Sequence, residues 1–134
     1  METTAKEIMT TDLVKVTEDM TIEEVLKVLI NYRITGLPVV DKKGNMTGVV
    51  SEYDLLRQIS KSKKNTEKTY SQKFEYTKKV DSIGEDTLLP EVVNQFIERK
   101  YRRLPVTDKS GKLVGMITRR DLMRIYYYRA KLSG

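Results

Sequence analysis

The sequence predicts an α+β protein made of two β-α-β-β-α repeats of α/β type, and three observations predict it. The 134-residue chain matches itself without a gap when shifted by 67 residues, from about Val16 to Ile59. Within each copy the apolar period passes from helical to strand-like and back in the same order. Punctuating residues also coincide: Gly44 falls on Gly111, Gly48 on Gly115, Leu37-Pro38-Val39 on Leu104-Pro105-Val106, and Asp54-Leu55 on Asp121-Leu122.

Each copy opens with a short β-rich run, Leu13 to Val16 in the first. A helix follows, because Ile22, Val25, Leu26, Leu29 and Ile30 recur at helical spacing, as do Leu89, Val92, Val93, Phe96 and Ile97. Thr21 with Glu24 has the form of a capping box, and Pro90 suits the first turn of the second copy's helix. Next come two β-rich runs around a polar turn carrying Gly44 or Gly111, the signature of a hairpin. A second amphipathic helix closes each unit, with Leu55, Leu56 and Ile59 matching Leu122, Met123 and Tyr126. One unit of this size buries too little apolar surface to stand alone, so the two sheets are expected to pack together.

These signals place the first repeat at 1–62, a connector at 63–78 and the second repeat at 79–134. Lys61, Lys63, Lys64, Lys68, Lys73, Lys78 and Lys79 face only Glu67 and Glu75 between 61 and 79, which reads as an exposed connector with a turn of helix near Phe74 to Thr77. The formal charge of +6 is unevenly spread: residues 1–60 are net −3, 61–79 net +5 and 80–134 net +4.

The chain holds no Cys, His or Trp, which excludes thiolate and imidazole metal sites, disulfides and Ser/His or Cys/His catalytic pairs. No acid/base pair or Gly-rich phosphate loop stands out, so neither catalysis nor a metal is expected. No apolar run is long enough to span a bilayer, and the N-terminus lacks an apolar signal core, which makes a cytoplasmic location the expectation.

The residues that carry chemistry are repeated. Gly48-Val49-Val50-Ser51-Glu52-Tyr53-Asp54 and Gly115-Met116-Ile117-Thr118-Arg119-Arg120-Asp121 share one pattern: Gly, two apolar residues, Ser or Thr, two variable residues, Asp. A hydroxyl where a strand gives way to a helix either caps the helix or meets a phosphate beside free backbone N–H groups. The Asp three residues on either favours the positive end of the helix or accepts from the hydroxyls of a ribose. Occurrence in two registered copies favours ligand binding.

This grammar, behind Leu-Pro-Val in each copy, resembles the cystathionine-β-synthase (CBS) domain family, and nearly the whole chain is similar to a tandem pair, the Bateman module. The resemblance implies pseudo-twofold packing of the units through their sheets. It also implies two composite clefts, with adenosine-containing occupants such as AMP, ADP, ATP or S-adenosylmethionine. One cleft would use Thr118, Arg119, Arg120 and Asp121 with Val16, Thr17, Ile34, Thr35, Gly36 and Pro38. Its Thr17 hydroxyl would serve adenine, Gly36 would leave room for a ring, and Arg119 or Arg120 would reach phosphate, so it ranks first for AMP-like ligands. The other would use Ser51 and Asp54 with Ile83, Tyr101, Arg102, Arg103 and Pro105, where two arginines suit several phosphates.

Tyr126-Tyr127-Tyr128-Arg129 mixes aromatics with cations, as single-strand binders do, but Leu122, Ile125 and Tyr126 continue the last helix's apolar stripe. Part of this cluster is therefore assigned to core or to a homodimer interface, the association the family resemblance implies, ahead of nucleic acid. The expected function is a non-enzymatic nucleotide-sensing module acting on a protein in trans. A structural dimerisation module and a nucleic-acid binder using the Lys connector and Tyr/Arg tail are the alternatives.

Overall fold

The computed structural model describes residues 2–62, 67–78 and 80–133. The elements run α1 (Ala5–Ile8), β1 (Val16–Thr17), α2 (Ile22–Tyr32), β2 (Gly36–Val40), β3 (Met46–Ser51), α3 (Glu52–Lys61), α4 (Glu67–Tyr70), β4 (Ile83–Gly84), α5 (Leu89–Arg99), β5 (Arg103–Thr107), β6 (Leu113–Thr118) and α6 (Arg119–Ser133). The β-α-β-β-α order occurs twice, in two three-stranded sheets ordered β1-β2-β3 and β4-β5-β6.

Local sequence explains these elements. Thr21 and Glu24 form the expected capping box on α2, and Pro90 sits in the first turn of α5. Each hairpin turns on an Asp whose carboxylate gathers backbone donors. Asp41 accepts from the N–H of Lys43 and Asn45, both at 2.9 Å, and Asp108 from those of Ser110 and Lys112 at 2.9 and 3.0 Å. Gly44 and Gly111 take the left-handed conformation that closes the turn, at φ 86° and 89°. Pro38 lies in the central strand without costing a ladder bond, because β1 is parallel to β2 and pairs only with Val39 and Val40.

The chain divides into two compact units, Val14–Val80 and Met1–Leu13 with Asp81–Gly134. Eight core positions of the first (Val16, Ile22, Val25, Leu29, Leu37, Val39, Val50 and Leu55) recur 67 residues later as Ile83, Leu89, Val92, Phe96, Leu104, Val106, Ile117 and Leu122. The remaining buried member differs: Phe74 in the first unit, Ala5 in the second.

Several sequence expectations change here. The opening strand is Val16–Thr17 rather than Leu13 to Val16. Residues 1–13, counted with the first repeat, belong to the unit of the second. Residues 67–78 are largely exposed but not throughout: the helix lies at Glu67–Tyr70 rather than near Phe74 to Thr77, and Thr69 and Phe74 are buried. Lys63, Lys64 and Lys79 lie outside the described residues.

The two displaced segments play one role. Thr10 exchanges backbone hydrogen bonds with Met116 at 2.9 and 3.0 Å, and Thr77 with Val49 at 2.9 Å each way, again 67 residues apart. Each segment is a strap added to the edge of a sheet, which removes an open edge. It precedes one repeat in the sequence and packs on the unit built from the other.

Candidate functional site

In both units the repeated motif sits where the β-hairpin hands over to the closing helix. Ser51 is the N-cap of α3; its hydroxyl accepts from the Asp54 N–H at 3.1 Å, while Asp54 Oδ2 accepts from the Ser51 N–H at 2.9 Å and hydroxyl at 3.0 Å. Thr118 and Asp121 repeat this arrangement, with Oδ2 accepting from the Thr118 N–H at 2.8 Å and hydroxyl at 3.0 Å. The motif is thus a capping box in which Asp stands where Glu or Gln is usual.

The box uses only one carboxylate oxygen. Oδ1 of Asp54 meets Arg57 at 3.4 Å, and Oδ1 of Asp121 meets Arg124 at 3.5 Å. These arginine side chains are 51% and 63% exposed while each carboxylate is only 10% exposed, so the pairs are screened on the arginine side alone. A second oxygen that accepts at the positive end of a helix suits a ligand hydroxyl, and the hydroxyl-bearing N-cap beside it suits a phosphate.

Strand pairing decides which other residues reach this end. Gly36 pairs with Ser51, and the Glu52 N–H donates to the Thr35 carbonyl at 2.9 Å, so Thr35 and Gly36 adjoin Ser51 and Asp54 in the first unit. Arg103 pairs with Thr118, and the Arg119 N–H donates to the Arg102 carbonyl at 3.2 Å, which joins Arg102 and Arg103 to Thr118 and Asp121 in the second.

Other expected site residues lie elsewhere or are otherwise employed. Thr17 pairs with Val40, four residues along β2 from Gly36, which puts it about 13 Å away at the hairpin end of the sheet. Its hydroxyl donates to Asp19 at 2.5 Å, a bond that holds the Asp19 carboxyl below its usual range. Val16 and Ile83 are core side chains, and Pro38 and Pro105 are buried within β2 and β5. Arg119 is engaged by the backbone: Nε donates to the Tyr101 carbonyl at 2.6 Å and Nη2 to that of Lys100, the C-cap of α5, at 3.0 Å. Arg120 is exposed.

Sequence reasoning missed the residues leading into β1 and β4. Because those strands run parallel to β2 and β5, the chain just before them lies at the motif end. In the second unit the Tyr101 hydroxyl, two residues before β5, donates to Asp81, two residues before β4. The equivalents in the first unit, Ile34 and Val14, are half-buried against its core. Placing the strand at Val16–Thr17 would have revealed both positions.

On α6, Leu122 is buried and Ile125 half-buried, whereas Tyr126, Tyr127 and Tyr128 are exposed, so the tyrosines are not part of the core of their unit. Lys131 lies over the Tyr127 ring, 5.7 Å from its centroid. No helix among the described residues is long and apolar enough to cross a membrane.

Comparison with known proteins places these units. The CBS domain model matches residues 5–61 and 74–128, each span taking in one copy of the motif. The chloroplastic CBS domain-containing protein CBSX1 of Arabidopsis thaliana is 36% identical over 84% of this chain, which spans 58% of CBSX1. Inosine-5'-monophosphate dehydrogenase of Methanocaldococcus jannaschii is 32% identical over 90% of this chain, which spans only 23% of that enzyme.

Among solved structures, CBSX2 of Arabidopsis thaliana in complex with AMP superposes with a TM-score of 0.77 at 32% identity, covering 95% of this chain and 98% of that one. The CBS domain pair of protein MJ0100, solved with 5'-methylthioadenosine and S-adenosyl-L-methionine, superposes with a TM-score of 0.70 at 25% identity, covering 96% and 99%. The repeated fold, the twice-matched family model and these likenesses lead to one conclusion: the chain belongs to the CBS domain family and carries a tandem pair of CBS domains.

Proposed function

We propose that this chain is a non-enzymatic regulatory module that binds an adenosine-containing ligand, AMP, ADP, ATP or S-adenosylmethionine, and relays its occupancy to a protein in trans. The observation that carries the reading is the likeness to CBSX2, which was solved with AMP, over 98% of the crystallised chain. Ser51 and Thr118 are assigned to phosphate, the second oxygens of Asp54 and Asp121 to ribose hydroxyls, Ile34, Thr35 and Gly36 to the base, and Arg102, Arg103 and Arg120 to further phosphate. The relay is limited by the ligand's differential affinity for the two states it shifts.

The test is a melting-shift screen with the four ligands. The binding one should add about 2.7 kcal/mol of stability at one hundred times its dissociation constant, a rise of several degrees. Alanine at Asp121 would also remove a helix cap, so Asp121→Glu is the informative variant: it keeps the capping box while displacing the carboxylate by one methylene. It should melt close to the parent and bind its ligand at least about tenfold more weakly, or about 1.4 kcal/mol. A flat response to all four ligands, or unchanged affinity in this variant, overturns the assignment.

We propose further that the module is a homodimer. Ile30, Leu56, Ile97 and Met123, on α2, α3, α5 and α6, are 64–70% exposed, an unusual outlay of large apolar side chains on helices whose other faces are buried. Sedimentation equilibrium should return twice the 15.6 kDa chain mass, and Leu56→Lys with Met123→Lys should return the monomer. A parent that sediments as a monomer at every concentration excludes this assembly.

A further inference from the structure

Besides Thr35/Arg102 and Gly36/Arg103, the two motif ends differ at three further positions related by the 67-residue repeat. The first unit has Val14, Tyr32 and Ile34; the second has Asp81, Arg99 and Tyr101. In the second unit the three are joined. The Tyr101 hydroxyl donates to Asp81 Oδ2, and Arg99 Nη1 lies 3.6 Å from the same oxygen. Burial pushes the Tyr101 hydroxyl up, and the bond to Asp81 adds to this, so the group stays a proton donor at neutral pH. No such cluster is possible in the first unit, where Val14 and Ile34 are apolar and half-buried against the core.

We infer that Asp81 and Tyr101 are specificity-determining residues that close the second unit's motif end to an adenine-type base, so that the chain takes one adenine nucleotide rather than two. The inference rests on the nucleotide reading proposed above. A purine is flat and largely apolar on its faces, and it is held by side chains that surrender little hydration when covered. Val14 and Ile34 offer that surface. At the second end a base would have to cover a carboxylate already bonded to a hydroxyl and paired with a guanidinium, stripping its water without supplying a better partner. The Tyr101 ring also reaches further than Ile34 and is tethered there by its hydroxyl. The neighbouring Arg102 and Arg120 are exposed cations, suited to phosphate rather than to a base.

Calorimetric titration of AMP reads the count directly. The parent chain should bind one AMP per chain. The double variant Asp81→Val/Tyr101→Ile, which gives the second unit the first unit's residues, should bind two. Two per parent chain, or one per chain in a double variant shown by circular dichroism to be folded, overturns the inference while leaving the nucleotide reading intact. If the double variant does not fold, Asp81→Val alone decides on the same count, because it removes both the charge and the group that tethers the Tyr101 ring. Failure of AMP to bind either protein overturns this inference, and only a flat response to the other three ligands as well overturns the nucleotide reading.

Discussion

Replacing Phe74 by alanine should destabilise the protein by about 3–5 kcal/mol, as truncation of a buried phenylalanine does elsewhere. Phe74 is 4% exposed, belongs to the core of the Val14–Val80 unit, and has its ring 5.4 Å from that of Tyr76. Domain stabilities are typically about 5–15 kcal/mol, so such a loss would leave the unit near the edge of folding. Urea denaturation measures it, with Lys78→Ala as the control in the same segment; that exposed side chain should cost no more than about 0.5 kcal/mol. A Phe74→Ala cost as small as the control's would mean that the segment is a detachable linker. The same argument bears on deleting residues 61–79: the deletion removes part of a core and cannot serve as the neutral excision of a charged loop.

Why this segment read as a linker is instructive. Its lysines dominate the composition, and Phe74 and Tyr76 are too few to set up a period. The eight matched core positions were legible because strand and helix periodicities repeat across dozens of residues. The straps were not, because each is shaped to the unit built from the other repeat. The first buries Ala5 where the second buries Phe74, so little beyond Thr10 with Thr77 and Lys6 with Lys73 preserves a visible match.

The motif residues Ser51, Asp54, Thr118 and Asp121 were legible for a related reason: capping chemistry constrains residue type at fixed spacing. The base-side residues were harder. A parallel strand only two residues long carries almost no sequence signal, and misplacing it by one or two positions exchanges Val14 for Val16 and Asp81 for Ile83. One expected site residue is engaged by the backbone: Arg119 reads as a phosphate ligand beside Thr118, and its guanidinium donates to the carbonyls of Lys100 and Tyr101 just past α5.

The matched glycines Gly48 and Gly115 should respond unequally to alanine, with Gly48→Ala costing about 2–4 kcal/mol and Gly115→Ala less, about 1–2 kcal/mol. Neither has a positive φ, so a side chain is tolerated by the backbone and the difference must come from what the new methyl meets. At Gly48 it would press on the Thr77 carbonyl oxygen and lie 2.6 Å from Tyr76 Cδ2. That carbonyl accepts the 2.9 Å hydrogen bond from the Val49 N–H, so relieving the clash means lifting the strap from β3 and losing the bond that holds it. At Gly115 the methyl meets the Met9 side chain, with Cγ at 2.6 Å and Cβ at 2.8 Å; a change of rotamer relieves the first contact, whereas the second asks the strap at Met9 to give by a few tenths of an ångström. Removing a glycine also stiffens the unfolded chain by about 0.4–1 kcal/mol, which offsets part of the smaller clash and little of the larger. Urea titration of the two variants side by side gives the comparison. Equal costs would show that the strap backbone yields as easily as a methionine, and that its two bonds to Val49 do not hold it to the sheet.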